Sequence, residues 1–375
     1  MSPDHADVQP YPTHIPGSPA PRGRQVLPPV LRQRAAVLLA GALVGACSSA
    51  GAPAPAALPP DAAAVDLSPA GCSPIMPAQS TGCAAWSGQP AAGKLPSSAL
   101  NEVSGLVVSR KNSTATTNVL WLHNDSGDTA RVFAVALGPA GPPRLVAAYT
   151  LTGVTADDWE DLALGPAPGR SGDFLYLGDT GNNFNRVPRR SSIQVYRIPE
   201  PTVDLTKTDQ KLAVADAERI ELVYPEGKVF DCESLLVDPQ SGELVLITKD
   251  IFAGPSYVFR ASPVAAPPAA ITLTQVTDCQ GVPTALHFPA GELPAMTGAD
   301  IARAGDAIIG RAYSGIFLWN RLPGESIGAA LGREPCALPA ASERQGEAVG
   351  FTPDGATYYT VSEGSGADIN VFRRN

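Results

Sequence analysis

At 375 residues the chain could supply two or three ordinary domains, but its first 95 residues are poor in core-forming side chains: 1–34 is polar and Pro-rich, and 48–95 is dense in Ala, Pro, Ser and Gly. About 280 residues remain, a size that all-β barrels and propellers reach as single domains, and 36 Gly with 38 Pro suit a turn-rich β protein rather than a helical one. A formal charge of −9 excludes the basic face that nucleic-acid binding requires, and four His leave little room for imidazole chemistry.

Arg22, Arg24, Arg32 and Arg34 precede the apolar run Ala35 to Ala46, which ends at Cys47. A basic stretch, 12 apolar residues and small residues at the cut predict a secretory signal over 1–46, too short to remain as a membrane span. Val44-Gly45-Ala46-Cys47 resembles the lipobox of bacterial lipoproteins, which implies lipidation of Cys47. The polar leader is over-long for such a signal, as though translation began nearer Val26. The expected location is the cell envelope, on the outer side of the cytoplasmic membrane. There 47–95 would form a disordered, semi-extended Ala/Pro stalk, and the lipid would be the contact with the membrane. The remainder carries 23 basic and 34 acidic residues, which does not favour anionic headgroups.

That compartment is oxidising, so cysteine pairing is expected. Cys72 and Cys83 would close a short loop, and Cys232 and Cys279 bracket one repeat, which makes both pairs candidates and leaves Cys336 over. A Cys83–Cys336 link is the alternative. No CxxC occurs, so zinc ribbons and thioredoxin-type chemistry are unsupported.

Over 96–375 short predicted strands alternate with Gly, Pro, Asp and Asn clusters, and a unit recurs. Its first strand opens on an acid at Glu102, Glu160, Glu233 and Glu347, with Thr297 in the acid's place in the fourth copy. Second strands start near Asn118, Phe174, Glu243, Ala307 and Thr357, and third strands near Arg131, Ser192, Tyr257, Gly315 and Ile369. Three or four strands per repeat of 50 to 73 residues predict the blades of a β-propeller, five rather than six. A sandwich explains the strand spacing but not the recurring acid. Too few residues follow Glu347 for a whole blade, so segment 84–99 is expected to supply the missing outer strand and close the ring.

The motifs HNDSGD (123–128), DWEDLALGP (158–166), GDTGNN (178–183), CESLLVDP (232–239) and QGEAVGFTPDG (345–355) resemble those of a group of secreted and lipid-anchored bacterial β-propellers. Glu102 to Leu106 is distantly similar to the esterase-like phytase propellers. The pattern is also similar to gluconolactonase-type propellers, a resemblance that implies a divalent metal in the channel.

In an up-and-down blade the first strand begins on the face where the second ends. Glu102, Glu160, Glu233 and Glu347 are therefore expected on one channel face with Asn124, Asp125, Asp179, Lys249, Arg311 and Glu363. Clustered carboxylates raise one another's pKa and need compensation. An all-oxygen set of Glu102, Glu160, Glu233, Glu347, Asn124 and Asp179 suits Ca²⁺. The plainer expectation is that each Glu latches its blade to the next through backbone N–H groups. Asp179-TGNNFN has Arg190 where a calcium loop needs Glu, so a self-capping turn is expected there. Trp159 is either packing or a sugar-binding surface. Gly324-Glu325-Ser326-Ile327-Gly328 matches a nucleophile elbow only weakly.

Two functions follow. One is a monomeric binding module taking a small molecule, glycan or envelope protein on the channel face. The other is a Ca²⁺-assisted hydrolase of an ester, lactone or phosphoester, with Asp125 as general base.

Overall fold

The computed structural model describes residues 82–375, apart from 184–185, 252–253, 267–269, 279–280, 287 and 289–294. The signal segment, Cys47, most of the expected stalk, Cys72, Cys279 and His287 lie outside the described residues.

The first element is β1 (Trp86–Lys94). A first blade follows as the meander β2 (Val103–Val108), β3 (Asn118–Asn124), β4 (Arg131–Leu137) and β5 (Arg144–Leu151). The second blade begins with β6 (Trp159–Pro166), β7 (Asp173–Asp179) and β8 (Ile193–Pro199). The chain then turns back to lay β9 (Gln210–Val214) parallel to β5, and returns as β10 (Glu218–Val223) beside β8. The third blade holds β11 (Asp231–Val237), β12 (Leu244–Lys249) and β13 (Val258–Ala261). Next, β14 (Ile271–Thr272) adds in parallel to β10, and β15 (Thr274–Gln275) pairs with β13. The fourth comprises β16 (Met296–Ile301), β17 (Ala307–Ala312), β18 (Gly315–Asn320), the short helix α1 (Ile327–Leu331) and β19 (Cys336–Leu338). The fifth is β20 (Gly346–Phe351), β21 (Thr357–Ser362) and β22 (Asp368–Arg374), with β1 antiparallel to β22 as its outer strand.

The inner strands close a ring: β2 lies against β6, β6 against β11, β11 against β16, β16 against β20, and β20 against β2. This is the expected five-bladed β-propeller, shut by the N-terminal strand. Since β1 begins at Trp86, the Ala/Pro-rich stretch ends short of the residue-95 boundary expected from composition.

Blades pack face to face, so inner strands are apolar on both sides, and every residue of β2, β16 and β20 is buried. One apolar cluster fills each interface. Leu106 and Leu120 meet Val361 and Ile369 between the first and fifth blades. Tyr176 and Ile193 meet Leu235 and Phe259 between the second and third. Each such side chain contributes about 1.5–3 kcal/mol on burial.

Cys83 bonds Cys336, with Cα atoms 5.6 Å apart. This replaces the Cys72–Cys83 pairing and ties the lead into β1 to β19 of the neighbouring blade. Cys232 is a free, buried thiol, so the Cys232–Cys279 pairing fails too. Burial pushes that thiol up to about 12, and its Sγ donates to the Ser234 and Ile247 carbonyls.

Candidate functional site

Every inner strand carries a β-bulge in its first turn of pairing. The register shifts lie between Val103 and Gly105, Trp159 and Asp161, Cys232 and Ser234, Met296 and Gly298, and Gly346 and Ala348. A bulge twists the strand locally and re-aims the extra side chain. The bulged residues are Ser104, Glu160, Glu233, Thr297 and Glu347, one per blade. Glu160, Glu233 and Glu347 therefore occupy equivalent positions, with Thr297 in the fourth blade as read from sequence. Glu102 does not. It lies two residues ahead of the ring position, which Ser104 fills, and it is exposed.

The latch belongs to other side chains. Asp161 Oδ2 accepts from Leu235 N–H (2.9 Å) in the third blade and Ala299 N–H (3.0 Å) in the fourth. Asp300 Oδ2 accepts from Phe351 N–H (2.8 Å) in the fifth. Where the ring position holds a hydroxyl, that hydroxyl reaches the next inner strand: Ser104 Oγ donates to Glu160 O (2.5 Å) and Thr297 Oγ1 to Gly346 O (3.1 Å). The expectation that the Glu residues latch the blades is thus corrected. Their carboxylates are left to the channel.

They open into a cavity of about 790 Å³. Its walls bring together the expected Asp125, Glu160, Glu233, Lys249, Glu347 and Glu363, and add Asp158, Asp231, Asp250, Arg189, Phe230 and Tyr313. Asp158 and Asp231, which sequence reading missed, stand two residues ahead of Glu160 and Glu233 in a repeated D-x-E pattern. Oxygens of Asp125, Asp158 and Glu160 lie within 4.8 Å of one another, and so do those of Glu160, Asp231 and Glu233. At that separation each ionised pair repels by roughly 3–4 kcal/mol for an effective dielectric of about 20.

Burial raises all of them, and repulsion adds to it at Asp125, Asp158, Glu160 and Glu233. Desolvation, then Glu233, holds Glu160 well above the usual carboxylate range. Asp125 and Asp231 are raised chiefly by burial, and burial with Asp125 and Asp231 nearby pushes Asp158 up to about 6. Glu347 stands at about 7, through burial held back by Lys249; Glu363 stands at about 8, through burial with Glu347 and Glu102 beside it. Glu233 is raised by burial despite Lys249, whose Nζ lies 2.5 Å from both of its carboxylate oxygens. The same ammonium donates to Tyr313 OH (2.9 Å) and sits 4.7 Å from that ring's centre. Glu347 is 4 % exposed, and its Oε2 has no hydrogen-bond partner among the described residues.

Gly181 makes the crowding sterically feasible. A Cβ there would come 2.2 Å from Glu160 Oε1 and 2.5 Å from Asp158 Cγ.

Three expected site residues do structural work instead, and a fourth, Glu102, is not part of the cavity wall. Asn124 bonds Glu102 N–H, Ala99 O and Asp128. Asp179 accepts from Asp157 and Asp158 N–H and pairs with Arg190 at 2.6 Å, closing the 179–190 turn. Arg311 is buried against Gly346 and paired with Glu343 at 2.6 Å. Glu102 is exposed beside Glu363, with which it shares a hydrogen bond. Trp159 is buried edge-on to His123, hence packing rather than a ligand surface. Ser326 is the N-cap of α1, its Oγ accepting from Ala329 N–H, and not a nucleophile.

The cavity's donors are oxygens, and His123 is turned away into the blade interface, its ring packed on Trp159. Two oxygens about 2.4 Å from one ion lie at most about 5 Å apart, so either triad fits a Ca²⁺-sized cation.

No protein-family model matches the chain, and no curated protein does. Among solved structures it is similar to "a putative 6-phosphogluconolactonase from Bacteroides uniformis", with 13% sequence identity and a TM-score of 0.34. That likeness covers 72% of this chain and 67% of the other.

Proposed function

We propose that this protein is an envelope-facing binding propeller whose channel cavity holds Ca²⁺ and, through it, an oxygen-rich anionic ligand. The observation that carries the reading is the convergence of Asp125, Asp158, Glu160, Asp231 and Glu233 in one cavity, with the Lys249 ammonium paired to Glu233. Carboxylates that only stabilised the fold would be spent on blade contacts; here Asp161 and Asp300 make those, and of the five only Asp231 adds one among the described residues, accepting from Asn182 N–H at 2.8 Å. Ca²⁺ takes six to eight oxygens, so ions held by the protein's carboxylates would keep positions for ligand oxygens. Phe230 and Tyr313 supply an aromatic wall beside them. The signal-like segment, Cys47 and the Cys83–Cys336 disulfide support an extracytoplasmic, lipid-anchored location.

The unpartnered Oε2 of Glu347 favours a second reading, a hydrolase of esters, lactones or phosphoesters. Bound Ca²⁺ would supply Lewis acidity. Asp125 belongs to a cation triad in this arrangement, so Glu347 takes over the general-base role: it faces the cavity with an oxygen free to accept a proton.

Thermal melts in Ca²⁺ and in EDTA test the first reading. Saturation at about a hundredfold over Kd adds about 2.7 kcal/mol, which raises Tm by about 5 °C or more for a domain of this size. No shift in the wild type sinks it. Turnover of chromogenic esters, lactones or phosphoesters that Glu347→Gln abolishes, with Ca²⁺ affinity retained in part, would establish the second.

A further inference from the structure

We infer that the cavity is built for two divalent cations rather than one, with the Glu160 carboxylate bridging them; this rests on the cation-binding reading above. Two oxygen triads meet the distance requirement of a single ion, and they share one residue. Asp125, Asp158 and Glu160 form the first, while Glu160, Asp231 and Glu233 form the second. The five oxygens do not form one set within 4.8 Å of one another, so one ion does not reach both triads at Ca²⁺–oxygen distances of about 2.4 Å. Shared carboxylates of this kind hold hard cations about 3.5–4 Å apart in two-metal sites.

An acidic cluster alone would not carry this, and Glu347 is the independent observation. Its side chain is buried, lines the same cavity and leaves Oε2 without a partner among the described residues. It interacts with Glu233 and Lys249 of the second set, and also with Asp125 of the first. A buried, unsatisfied carboxylate oxygen is costly and calls for an occupant. Glu347 belongs to neither triad as it stands, with Tyr313 and Gln345 beside it, and its charge, felt by Glu233, favours an ion in the second set.

The two sites are unequal. Lys249 Nζ rests on both oxygens of Glu233, so its ammonium stands in for a cation in the second site. Tyr313 gives it somewhere to go, through the hydroxyl at 2.9 Å and the ring face at 4.7 Å. The first site carries no comparable obstacle: Arg186 approaches Asp158 only to 3.8 Å. The first ion therefore binds more tightly, and the second must displace Lys249 from Glu233.

Equilibrium dialysis and isothermal titration calorimetry of the full chain with Ca²⁺ alone test this. The expected result is two Ca²⁺ per chain in distinguishable steps. Asp158→Asn should leave one and remove the tighter step, while Glu347→Gln should weaken the looser step about tenfold or more and spare the tighter. Lys249→Met should keep both and tighten the looser step several-fold. One Ca²⁺ per wild-type chain overturns the proposal and leaves the single-cation reading intact. None overturns both. Two ions with neither step moved by Glu347→Gln or Lys249→Met also refutes the site as assigned. Where a variant does not fold, the wild-type stoichiometry decides.

Discussion

Asp161 touches three blades at once, its carboxylate accepting from Leu162 N–H (2.8 Å), Leu235 N–H and Ala299 N–H at full burial. Replacing it by Ala strands three buried donors, each worth about 1–3 kcal/mol when unsatisfied. Asp161→Ala is therefore expected to destabilise the protein by about 3–5 kcal/mol in urea unfolding. Glu160→Gln, one residue earlier, should be neutral or stabilising without cation, because the charge it removes is one the folded state disfavours. Equal losses for both would refute this division between latch and site. The two roles were only partly legible in the sequence. Glu160, Glu233, Thr297 and Glu347 read in their true register, because the apolar strand follows each directly. Glu102 was read two residues out: E-x-S-G-L offers a carboxylate where the fold uses Ser104, and the bulge that fixes the register leaves no mark on residue type. The D-x-E repeat at Asp158 and Asp231 was visible, yet it lies ahead of the repeating unit. The latch could not be read, since nothing local separates an acid that faces a channel from its neighbour that faces backbone.

Strand elements were the most readable level, since alternating apolar runs bounded by turn residues mark each meander. The outer strand supplied by Trp86–Lys94 was legible from the shortfall after Glu347. By contrast, β9 and β14 were not, because each is a short, partly exposed addition whose pairing partner lies in another repeat. The closing strand is held by its ladder to β22 and by Cys83–Cys336, which spans 253 residues of sequence. A cross-link over so long a loop removes much denatured-state entropy. Cys83→Ser, or reduction of the wild type, should lower stability by about 2–5 kcal/mol, read as a drop in Tm with Ca²⁺ binding kept in the folded protein. An unchanged Tm would mean that the strand ladder alone secures closure.

At the scale of the whole molecule, the acidic cavity makes stability depend on pH in an unusual direction. Asp158, Glu347 and Glu363 stand at about 6, 7 and 8 when folded, above the 3.8 and 4.5 of free Asp and Glu. The folded state thus keeps protons that the unfolded chain has released, and stability falls as pH climbs from about 4.5 to 8. Glu347 alone accounts for about 3 kcal/mol of that fall; Glu363, partly open to solvent, contributes less. Asp238, lowered by its pairing with Arg321 despite burial, acts below this window; His123, lowered by burial, opposes the fall up to about pH 6.5, where the several raised carboxylates outnumber it. Melts in EDTA should show Tm declining from pH 5 to pH 8, and excess Ca²⁺ should flatten or reverse the trend. A flat profile in EDTA would show that the carboxylates are not in mutual conflict. The strands β9 and β14 bear on the same scale. Each leaves its own repeat to finish the rim of the one before, so the first three blades are interlocked like overlapping roof tiles. A fragment cut at a repeat boundary would carry away a piece of its neighbour. The natural folding quantum is accordingly larger than one repeat, and the cavity at the hub, walled by side chains of all five blades, is complete only once the last spoke is in place.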